Sequence, residues 1–245
     1  MTGPPSPLAL LVRKLSRCAA LDPSDCAAVL ALRHTLRTLD PSTYLLREGD
    51  PPQYCAVLKS GFAYRQKLTG EGARQIVSLH IPGEALDLQS LYLDVADHNI
   101  QTLTRAEVAM VPRAAMRDLI ESRPAIAHAV FVDLLIEGSI AREWTLNVGR
   151  RDAQTRLAHL LCEVAVRLDS QGLAGTGGYE LPMTQEQLGD ALGLTAVHVN
   201  RTLKALEARG LIMRNRRHVG IPLWTDLRDV GDFTGRYLHL GMQNA

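Results

Sequence analysis

The stretch TQEQLGDALGLTAVHVNRTLKALEARGLI, residues 184–212, decides the fold of the C-terminal part of this chain. Its apolar residues recur at helical spacing, yet Gly189 and Gly193 interrupt it. A glycine in a helix interior costs about 1 kcal/mol relative to alanine. The two glycines therefore predict a close packing contact at Gly189 and a turn at Gly193.

Helix caps frame that turn. Thr184 is followed three residues later by Gln187, a capping box that predicts a helix start at Gln185. Thr195 can cap a second helix, which we expect over 195–209. Two helices joined by a three-residue turn form a helix-turn-helix, whose second helix enters the major groove of DNA.

The local charge supports a nucleic-acid partner. The whole chain has a formal net charge of +1, but six arginine and lysine side chains stand against one acid, Glu207, between Thr195 and His218. A local excess of this kind is the electrostatic footprint of nucleic-acid binding. The segment GLIMRNRRHVGIPL at 210–223 predicts two short strands around a basic turn at 215–218, which is the wing of a winged helix.

Length and composition exclude several classes of protein. With 245 residues, the chain can form one large domain or two ordinary ones. Its 46% hydrophobic and 22% charged residues are typical of a soluble globular protein. The uninterrupted apolar runs are shorter than the roughly 20 residues of a membrane span, so we expect no membrane partner. No basic residue precedes the apolar segment near the N-terminus, which argues against a secretory signal and favours the cytoplasm.

Residues 1–123 are expected to form an N-terminal domain. Apolar residues at helical spacing over 8–36 predict one or two short helices. From 38 to 110, short runs rich in Val, Ile, Tyr and Leu alternate with glycine-bearing turns, as in LTGEGARQ at 68–75. This pattern predicts a compact antiparallel barrel or sandwich.

A long helix is predicted over 124–150. Seven positions in it follow alternating spacings of 3 and 4, the pattern of a two-stranded coiled-coil seam with Glu137 as its polar interruption. The alternative is a helix packed on its own domain. Phe131, Leu135 and Ile136 lie off this pattern, and we expect them to pack against the barrel. The predicted seam is Ala127, Val130, Leu134, Glu137, Ala141, Trp144 and Val148.

The chain resembles a bacterial transcription-factor family, that of the catabolite activator protein and the fumarate-nitrate reduction regulator. The resemblance is most specific in VNRTLKALEARGLI at 199–212. In the barrel, SLHIPGEALDLQSL at 78–91 and DHNIQTLTRAEVAMVPRAAM at 97–116 match the family in layout. It extends over nearly the whole chain from about residue 38 to 223.

The resemblance implies a fold and a function. The fold is of the α+β class: an N-terminal antiparallel β-roll like a cyclic-nucleotide-binding domain over 1–123, a dimerisation helix over 124–150, and a C-terminal winged helix-turn-helix domain over 151–245. The function is that of a homodimeric transcription regulator that binds a palindromic operator in double-stranded DNA and contacts RNA polymerase.

The expected DNA contacts fall into two classes. Base contacts are assigned to Val197, His198, Asn200 and Arg201. Arg201 matches the family's base-reading arginine and suits guanine, Asn200 suits adenine or a phosphate, and His198 suits either. Val197 stands where relatives carry a glutamate, and it can offer only an apolar surface to a thymine methyl group. Phosphate contacts, which position the protein without reading sequence, are expected from Thr184, Thr195, Lys204, Arg214, Arg216 and Arg217.

The expected effector pocket departs from the family pattern. Cyclic-AMP-binding members use a glutamate for the ribose and an arginine followed by serine or threonine for the phosphate. The matching positions here are near Leu88 and at His98 and Asn99, which argues against cyclic AMP because a neutral histidine is a poor substitute for a permanent cation. The expected pocket residues are Asp87, Leu88, Gln89, Ser90, His98 and Asn99.

We expect no metal and no cofactor. Iron-sulfur members use a tight N-terminal cysteine cluster, whereas Cys18 and Cys26 supply only two thiolates and the other two cysteines lie far along the chain. Haem-binding members use a barrel histidine, for which His80 and His98 are candidates, but a lone histidine is more often structural. An unidentified small molecule, haem or a protein partner remain open as the signal.

An enzyme is the alternative from a different class. The polar cluster of interest contains Asp87, Asp94, Asp97 and His98, and it reads equally well as a solvated loop. The sequence shows no catalytic triad order, metal triad or phosphate loop, so we expect no enzymatic activity.

Overall fold

The structure, a computed structural model, describes residues 6–175 and 178–241. The chain forms two compact units. The first contains the described residues up to Lys67 together with Leu79–Gly138, and the second contains Leu68–Ser78 and Ser139–Leu240. The division between the units therefore falls inside the predicted long helix rather than at one of its ends.

The N-terminal half is an antiparallel β-roll flanked by helices. Its strands form two sheets, with the orders β1-β7-β3 and β2-β6-β4-β5. The register pairs Val57 with Ala109 and Tyr64 with Gln101. The predicted barrel is confirmed, although its first strand begins before residue 38. The elements are α1 Ala9–Cys18, α2 Pro23–Leu30, β1 Thr35–Leu39, β2 Tyr44–Leu46, β3 Tyr54–Ser60, β4 Ala63–Leu68, β5 Arg74–His80, β6 Asn99–Thr102, β7 Ala106–Pro112 and α3 Arg113–Ser122, with a short 3-10 helix at Gln89–Leu91.

Two apolar clusters hold the first unit together. One lies inside the roll and includes Leu58, Ile100 and Val108. The other joins the helices to the outer face of the β1-β7-β3 sheet, and it includes Leu15 and Ile126. Burial of this apolar surface is the main stabilising contribution in a unit of this size.

Helix α4, Pro124–Arg150, is 27 residues long, and its buried face is not the expected one. Phe131 and Leu135 are 60% and 55% exposed, so the prediction that they pack against the barrel is wrong. Ile136, predicted with them, does pack against the apolar cluster between the helices and the sheet. Val130 instead lies in the helix–sheet cluster, with Leu134 packed against it. Two neighbouring apolar stripes run along α4, one with Val130 and the other with Phe131. The spacing of the residues alone does not show which stripe the sheet covers.

The predicted seam is therefore corrected in both parts of α4. Ala127, Val130 and Leu134 pack on the core of their own unit. Trp144 is buried within the second unit, and Ala141 is exposed. The alternative of a helix packed on its own domain is correct for most of these positions.

In the described part of the chain, α4 is long and apolar enough to cross a membrane by length and composition alone. The sequence expectation considered only uninterrupted apolar runs, and α4 is apolar on average although charged residues interrupt it. Its middle contains Asp133, Glu137 and Arg142, and ionisable groups are costly in a bilayer. Asp133 pairs with Lys14 at 2.9 Å, which favours packing of the N-terminal part of α4 inside the first unit.

The second unit is a winged helix-turn-helix. The helix predicted from Gln185 is confirmed, and the one predicted over 195–209 spans Ala196–Ala208 between its caps. Tyr179 is a buried strand residue whose hydroxyl donates to the carbonyl of Leu161 at 2.7 Å. The elements are α5 Ala153–Ser170, β8 Tyr179–Glu180, α6 Gln185–Leu192, α7 Ala196–Ala208, β9 Met213–Asn215, β10 His218–Gly220 and α8 Trp224–Val230, with a 3-10 helix at Gly235–Leu238 and the sheet order β8-β10-β9.

Candidate nucleic-acid interface

The turn between α6 and α7 has the predicted caps. Thr184 and Gln187 exchange two hydrogen bonds, of 2.9 and 3.1 Å, at the start of α6. Gly193 ends α6 in the left-handed conformation, with φ +65°, and the Thr195 hydroxyl accepts from the backbone N–H of His198 at the start of α7. Because each cap is local in sequence, the helix-turn-helix could be recognised before the fold was known.

The close packing contact predicted at Gly189 is present in the turn. A β-carbon added to Gly189 would lie 2.4 Å from the carbonyl oxygen of Leu194, closer than two such atoms can approach. The backbone N–H of Leu194 also donates to the carbonyl of Gly189 at 3.0 Å. The absence of a side chain at Gly189 thus fixes the distance between α6 and the turn.

One face of α7 is buried and the other is open. Val199, Leu203 and Leu206 are buried in the second unit. Val197 is 81% exposed and Arg201 is exposed on the opposite face, while His198 and Asn200 are half-buried. The four residues predicted to read bases therefore lie together near the start of one helix.

A surface cavity of about 510 Å³ lies beside these residues. It is lined by His198, Arg201 and Thr202 of α7 and by Asp152 and Gln154 at the start of α5. The Asp152 carboxylate caps α5. Hydrogen bonds from the backbone N–H groups of α5, above all that of Thr155, lower the pKa of Asp152. The start of α5 therefore borders the face of α7 that carries the predicted base-reading residues, a neighbour that the spacing of α7 alone could not indicate.

The predicted phosphate contacts are in different environments. Lys204, Arg216 and Arg217 are exposed. Arg216 lies in the wing turn with φ +56°, a left-handed conformation that few non-glycine residues adopt. Arg214 is half-buried, and its guanidinium is 2.7 Å from the Glu207 carboxylate. Arg214 is therefore part of an internal ion pair, which sets it apart from the exposed cations.

Two neighbouring segments fix the end of α6. Arg74, from the segment Leu68–Ser78 of the same unit, places its guanidinium 2.6 and 2.7 Å from one carboxylate oxygen of Asp190. Gln75 donates to the carbonyl of Ala191 at 3.3 Å, and Arg156 of α5 donates to that of Leu192 at 2.9 Å. Spacing in the sequence does not indicate these contacts because the partners are far apart in the chain.

A buried carboxylate joins α4, α5 and the C-terminal segment. Glu163 is fully buried, and both its oxygens accept from the indole N–H of Trp144, at 3.0 and 3.1 Å. It also accepts from Arg167 at 3.0 Å and from the hydroxyl of Tyr237 at 2.9 Å. The i,i+4 spacing of Glu163 and Arg167 was the sequence signal available for this network.

The predicted effector pocket lies in the first unit and is largely closed. Asp87, Leu88, Ser90, His98 and Asn99 are buried, and Gln89 is half-buried. One ring nitrogen of His98 is 2.6 Å from Asp97 and the other is 3.6 Å from Asp87. Burial, and then the charge of Arg65, lower the pKa of His98.

Arg65 of β4 also belongs to this pocket, although no motif in the sequence indicates it. Its guanidinium donates to the carbonyl of Leu86 at 2.8 Å and lies 3.7 Å from a carboxylate oxygen of Glu137. Arg65 therefore provides a permanent positive charge in a pocket where positions 88 and 98 provide none. Its guanidinium is already paired with the carboxylate of Glu137.

The candidate cofactor ligands are either hydrogen-bonded within the protein or buried as neutral thiols. His80 is buried, with a ring nitrogen 3.1 Å from the Glu84 carboxylate. Burial raises the pKa of the Cys18 thiol to about 11 and that of Cys162 to about 12. Among residues 6–175 and 178–241, no three His, Cys, Asp or Glu side chains are grouped so that they could hold a metal ion.

Comparisons with known proteins agree with both units. Residues 36–123 match the family model of the cyclic nucleotide-binding domain, and 155–230 match that of the Crp-like helix-turn-helix domain. The solved structure of FixK2 from Bradyrhizobium japonicum has a TM-score of 0.76, with 24% identity, and covers 83% of this chain and 100% of its own.

Two relatives have been named as regulators. The transcriptional activator protein FnrL of Cereibacter sphaeroides is 26% identical over 212 residues, which is 85% of this chain and 84% of the relative. The nitrogen fixation regulation protein FixK of Azorhizobium caulinodans is 30% identical over 200 residues, 81% of this chain and 80% of the relative. With both domain models matched and the open face of α7 in place, the chain belongs to the CRP/FNR family of DNA-binding transcription regulators.

Proposed function

We propose that this protein is a cytoplasmic homodimer that binds a two-fold symmetric operator without cyclic AMP. The observation that supports it best is the open face of α7. Val197 and Arg201, two of the predicted base-reading residues, are four residues apart on this helix, and both are exposed. One such helix reads one half-site, and a dimer presents two about one helical turn of DNA apart. The half-site differs from one read by a glutamate, because Val197 favours a thymine methyl group over cytosine.

The dimer face is assigned to the exposed stripe of α4. Phe131, Leu135 and Leu146 are 60%, 55% and 45% exposed, and they lie within about 60° of each other around an ideal helix of 3.6 residues per turn. Gly138 lies on the same stripe and lets a second helix approach closely. This stripe is the expected seam moved by one residue, from Val130 and Leu134 to Phe131 and Leu135. A second copy of the chain fits it because both copies would present the same apolar stripe.

The absence of a cyclic AMP requirement is supported by two residues of the predicted effector pocket. The Leu88 side chain is in the apolar helix–sheet cluster, and the carboxylate of Asp87 would repel a cyclic phosphate. An effector-gated regulator is the second candidate, because the buried Asp87 carboxylate accepts no hydrogen bond within the part of the chain that the structure describes. A small molecule that donates hydrogen bonds could satisfy it.

Two further features complete the proposal. Contact with RNA polymerase is inferred from the relatives, of which FnrL is named a transcriptional activator. The absence of enzymatic activity is inferred from the family, whose members here are named as regulators.

The experiment that tests this function is selection from random DNA duplexes by the purified full chain, with and without cyclic AMP. The expected result is a palindromic motif enriched equally in both conditions. Enrichment that requires cyclic AMP would overturn the ligand-free part of the proposal. An asymmetric motif would overturn the dimer, and the absence of any motif would overturn sequence-specific binding.

A further inference from the structure

A cavity of about 460 Å³ lies in the second unit, and none of the described residues that line it belongs to α7. Helix α5 contributes Ala165 and Val166, the small sheet contributes Tyr179 and Met213, and Trp224 lies where α8 begins. Small-molecule sites in proteins have volumes of about 300–1,000 Å³ and mostly apolar walls. The cavity therefore has the size and the lining of a ligand site.

Two large apolar side chains of this cavity are partly uncovered. Met213 is 61% exposed, and Trp224 is 37% exposed. The wall behind them is fixed by other contacts. The Trp224 ring packs edge-on against Phe233 with 6.3 Å between the ring centres, and the buried Tyr179 hydroxyl is used by the carbonyl of Leu161. A ligand would thus cover apolar surface that the described chain leaves in water.

One charged side chain borders the cavity. Asp169 of α5 is the charged group among the described residues that line it. Its carboxylate is exposed and forms no ion pair or hydrogen bond with any residue in 6–175 or 178–241. A carboxylate attracts a cation, and the faces of tryptophan and tyrosine rings attract cations as well. The charge of the lining therefore favours an organic cation over an anion.

We propose that this cavity binds an arylalkylamine, with its rings between α5 and Trp224 and its ammonium group beside Asp169. The rings match the apolar lining. The exposed position of Asp169 lets the ammonium group keep part of its hydration, so binding does not require a fully buried charge. Such a ligand is opposite in charge to a cyclic nucleotide, and its site lies in the other unit from the predicted effector pocket.

The ligand would contact the sheet that carries the wing. Strand β10 pairs with β8 on one side and with β9 on the other, and the wing turn with Arg216 joins β9 to β10. The three strands are two or three residues long, so few backbone hydrogen bonds oppose local opening of this sheet. A ligand held between α5 and Met213 favours the closed sheet and keeps Arg216 in place for a phosphate. DNA binding should therefore tighten, a consequence that rests on the proposed function.

The first experiment is a calorimetric titration of the full-length chain with three probes that share one ring system. They are naphthylethylamine, naphthylethanol and naphthylacetate. The amine should bind once per chain and about two- to fivefold more tightly than the alcohol, the range for an ion pair at an exposed carboxylate. The acid should bind more weakly than the alcohol. Equal affinity of the amine and the alcohol, or no binding of the amine up to its solubility limit, would overturn the proposal.

Two variants test whether binding occurs in this cavity. Asp169→Asn keeps the shape of the side chain but removes its charge, so the amine and the alcohol should bind equally well. Glu180→Gln, at an exposed position of β8 outside the lining, is the matched control and should keep the preference for the amine. Ala165→Leu fills the cavity and should abolish measurable binding of all three probes. A preference for the amine that persists in Asp169→Asn would overturn the proposal even if Ala165→Leu failed to fold.

The methyl group of Met213 reports the position of the ligand independently. The chain contains six methionines, and isotope labelling of their methyl groups makes each a separate nuclear magnetic resonance probe. Met213→Leu identifies the Met213 signal by its absence. Naphthylethylamine should shift this signal more than any other methionine signal, because the rings lie beside it. A larger shift at another methionine would place the ligand elsewhere and overturn the site.

The last measurement concerns DNA. Saturating naphthylethylamine should tighten wild-type binding to the selected and the scrambled duplex alike, because Arg216 contacts phosphate rather than bases. Ethylamine at the same concentration controls for ionic strength, and Ala165→Leu should not respond to either amine. Unchanged wild-type affinity with the naphthyl amine bound would overturn the effect on the wing. No DNA binding in any condition would instead contradict the proposed function, because the calorimetric and resonance measurements do not involve DNA.

Discussion

A β-carbon on Gly189 would lie 2.4 Å from the carbonyl oxygen of Leu194, so the turn of the helix-turn-helix has no room for a side chain at Gly189. The obstacle is backbone, which cannot rotate away as a side chain can. Gly189→Ala should therefore force α6 away from the turn and lower the free energy of unfolding by about 1–3 kcal/mol, as overpacked core substitutions do. Urea denaturation measures this change.

Gly70→Ala is the control for this prediction. Its added β-carbon meets no atom within 4 Å, and the substitution should change stability by less than about 0.5 kcal/mol. Equal stability of the two alanine variants would contradict the steric account of Gly189.

Arg201 and Arg216 should affect DNA binding in different ways. Arg201→Ala should cost about 1–3 kcal/mol on the selected operator and relax the base preference at one position, because a bidentate contact to guanine is lost. Arg216→Ala should weaken cognate and scrambled duplexes alike and reduce the slope of log affinity against log salt by about 1. Electrophoretic mobility shifts at several salt concentrations separate the two. The same loss on both duplexes for Arg201→Ala would remove its assignment as a base reader.

Leu135→Glu should give a folded monomer. Leu135 is 55% exposed in the single chain, so the substitution leaves the core of the first unit intact but places a charge in the proposed dimer face. Sedimentation velocity should show loss of the dimer, with the helical circular dichroism spectrum unchanged. Leu68→Glu, also at an exposed leucine but in β4 and outside the proposed face, should leave the dimer in place. A dimer that persists in Leu135→Glu would mean that the subunits meet at a surface other than this stripe of α4.

Glu163→Gln should destabilise the second unit. The substitution removes the negative charge that pairs with the buried Arg167, and breaking a buried ion pair costs about 3–5 kcal/mol. Guanidinium denaturation measures the loss. Glu180→Gln, at an exposed position of β8, is the matched control and should be nearly neutral. A stable Glu163→Gln chain would mean that Trp144 and Tyr237 hold the network without the charge.

The helix-turn-helix was predictable because its determinants are local. The capping box of Thr184 and Gln187, the left-handed Gly193 and the cap at Thr195 each act within four residues, and the structure shows all of them. The close contact of Gly189 could also be inferred, because a glycine inside a good helix former needs a packing reason.

The exposed stripe of α4 and the buried networks were not predictable in the same way. Two apolar stripes one residue apart run along α4, and only the position of the β-roll shows that Val130 faces inward and Phe131 outward. The partners of Glu163 and of Arg65 come from distant parts of the chain, so no spacing rule identifies them. A single sequence indicates which residues are apolar or charged, but which of them meet depends on the packed fold.

The contact between Trp144 and Glu163 has a practical consequence. The chain contains only two tryptophans, and Trp144 is buried with its indole N–H on a carboxylate. The emission spectrum of an indole depends on nearby charge and on water, so a Trp224→Phe chain would carry Trp144 as its single tryptophan, at the junction of α4 and α5. Any event that separates these two helices would then change the emission wavelength and fluorescence intensity of Trp144, without an added label.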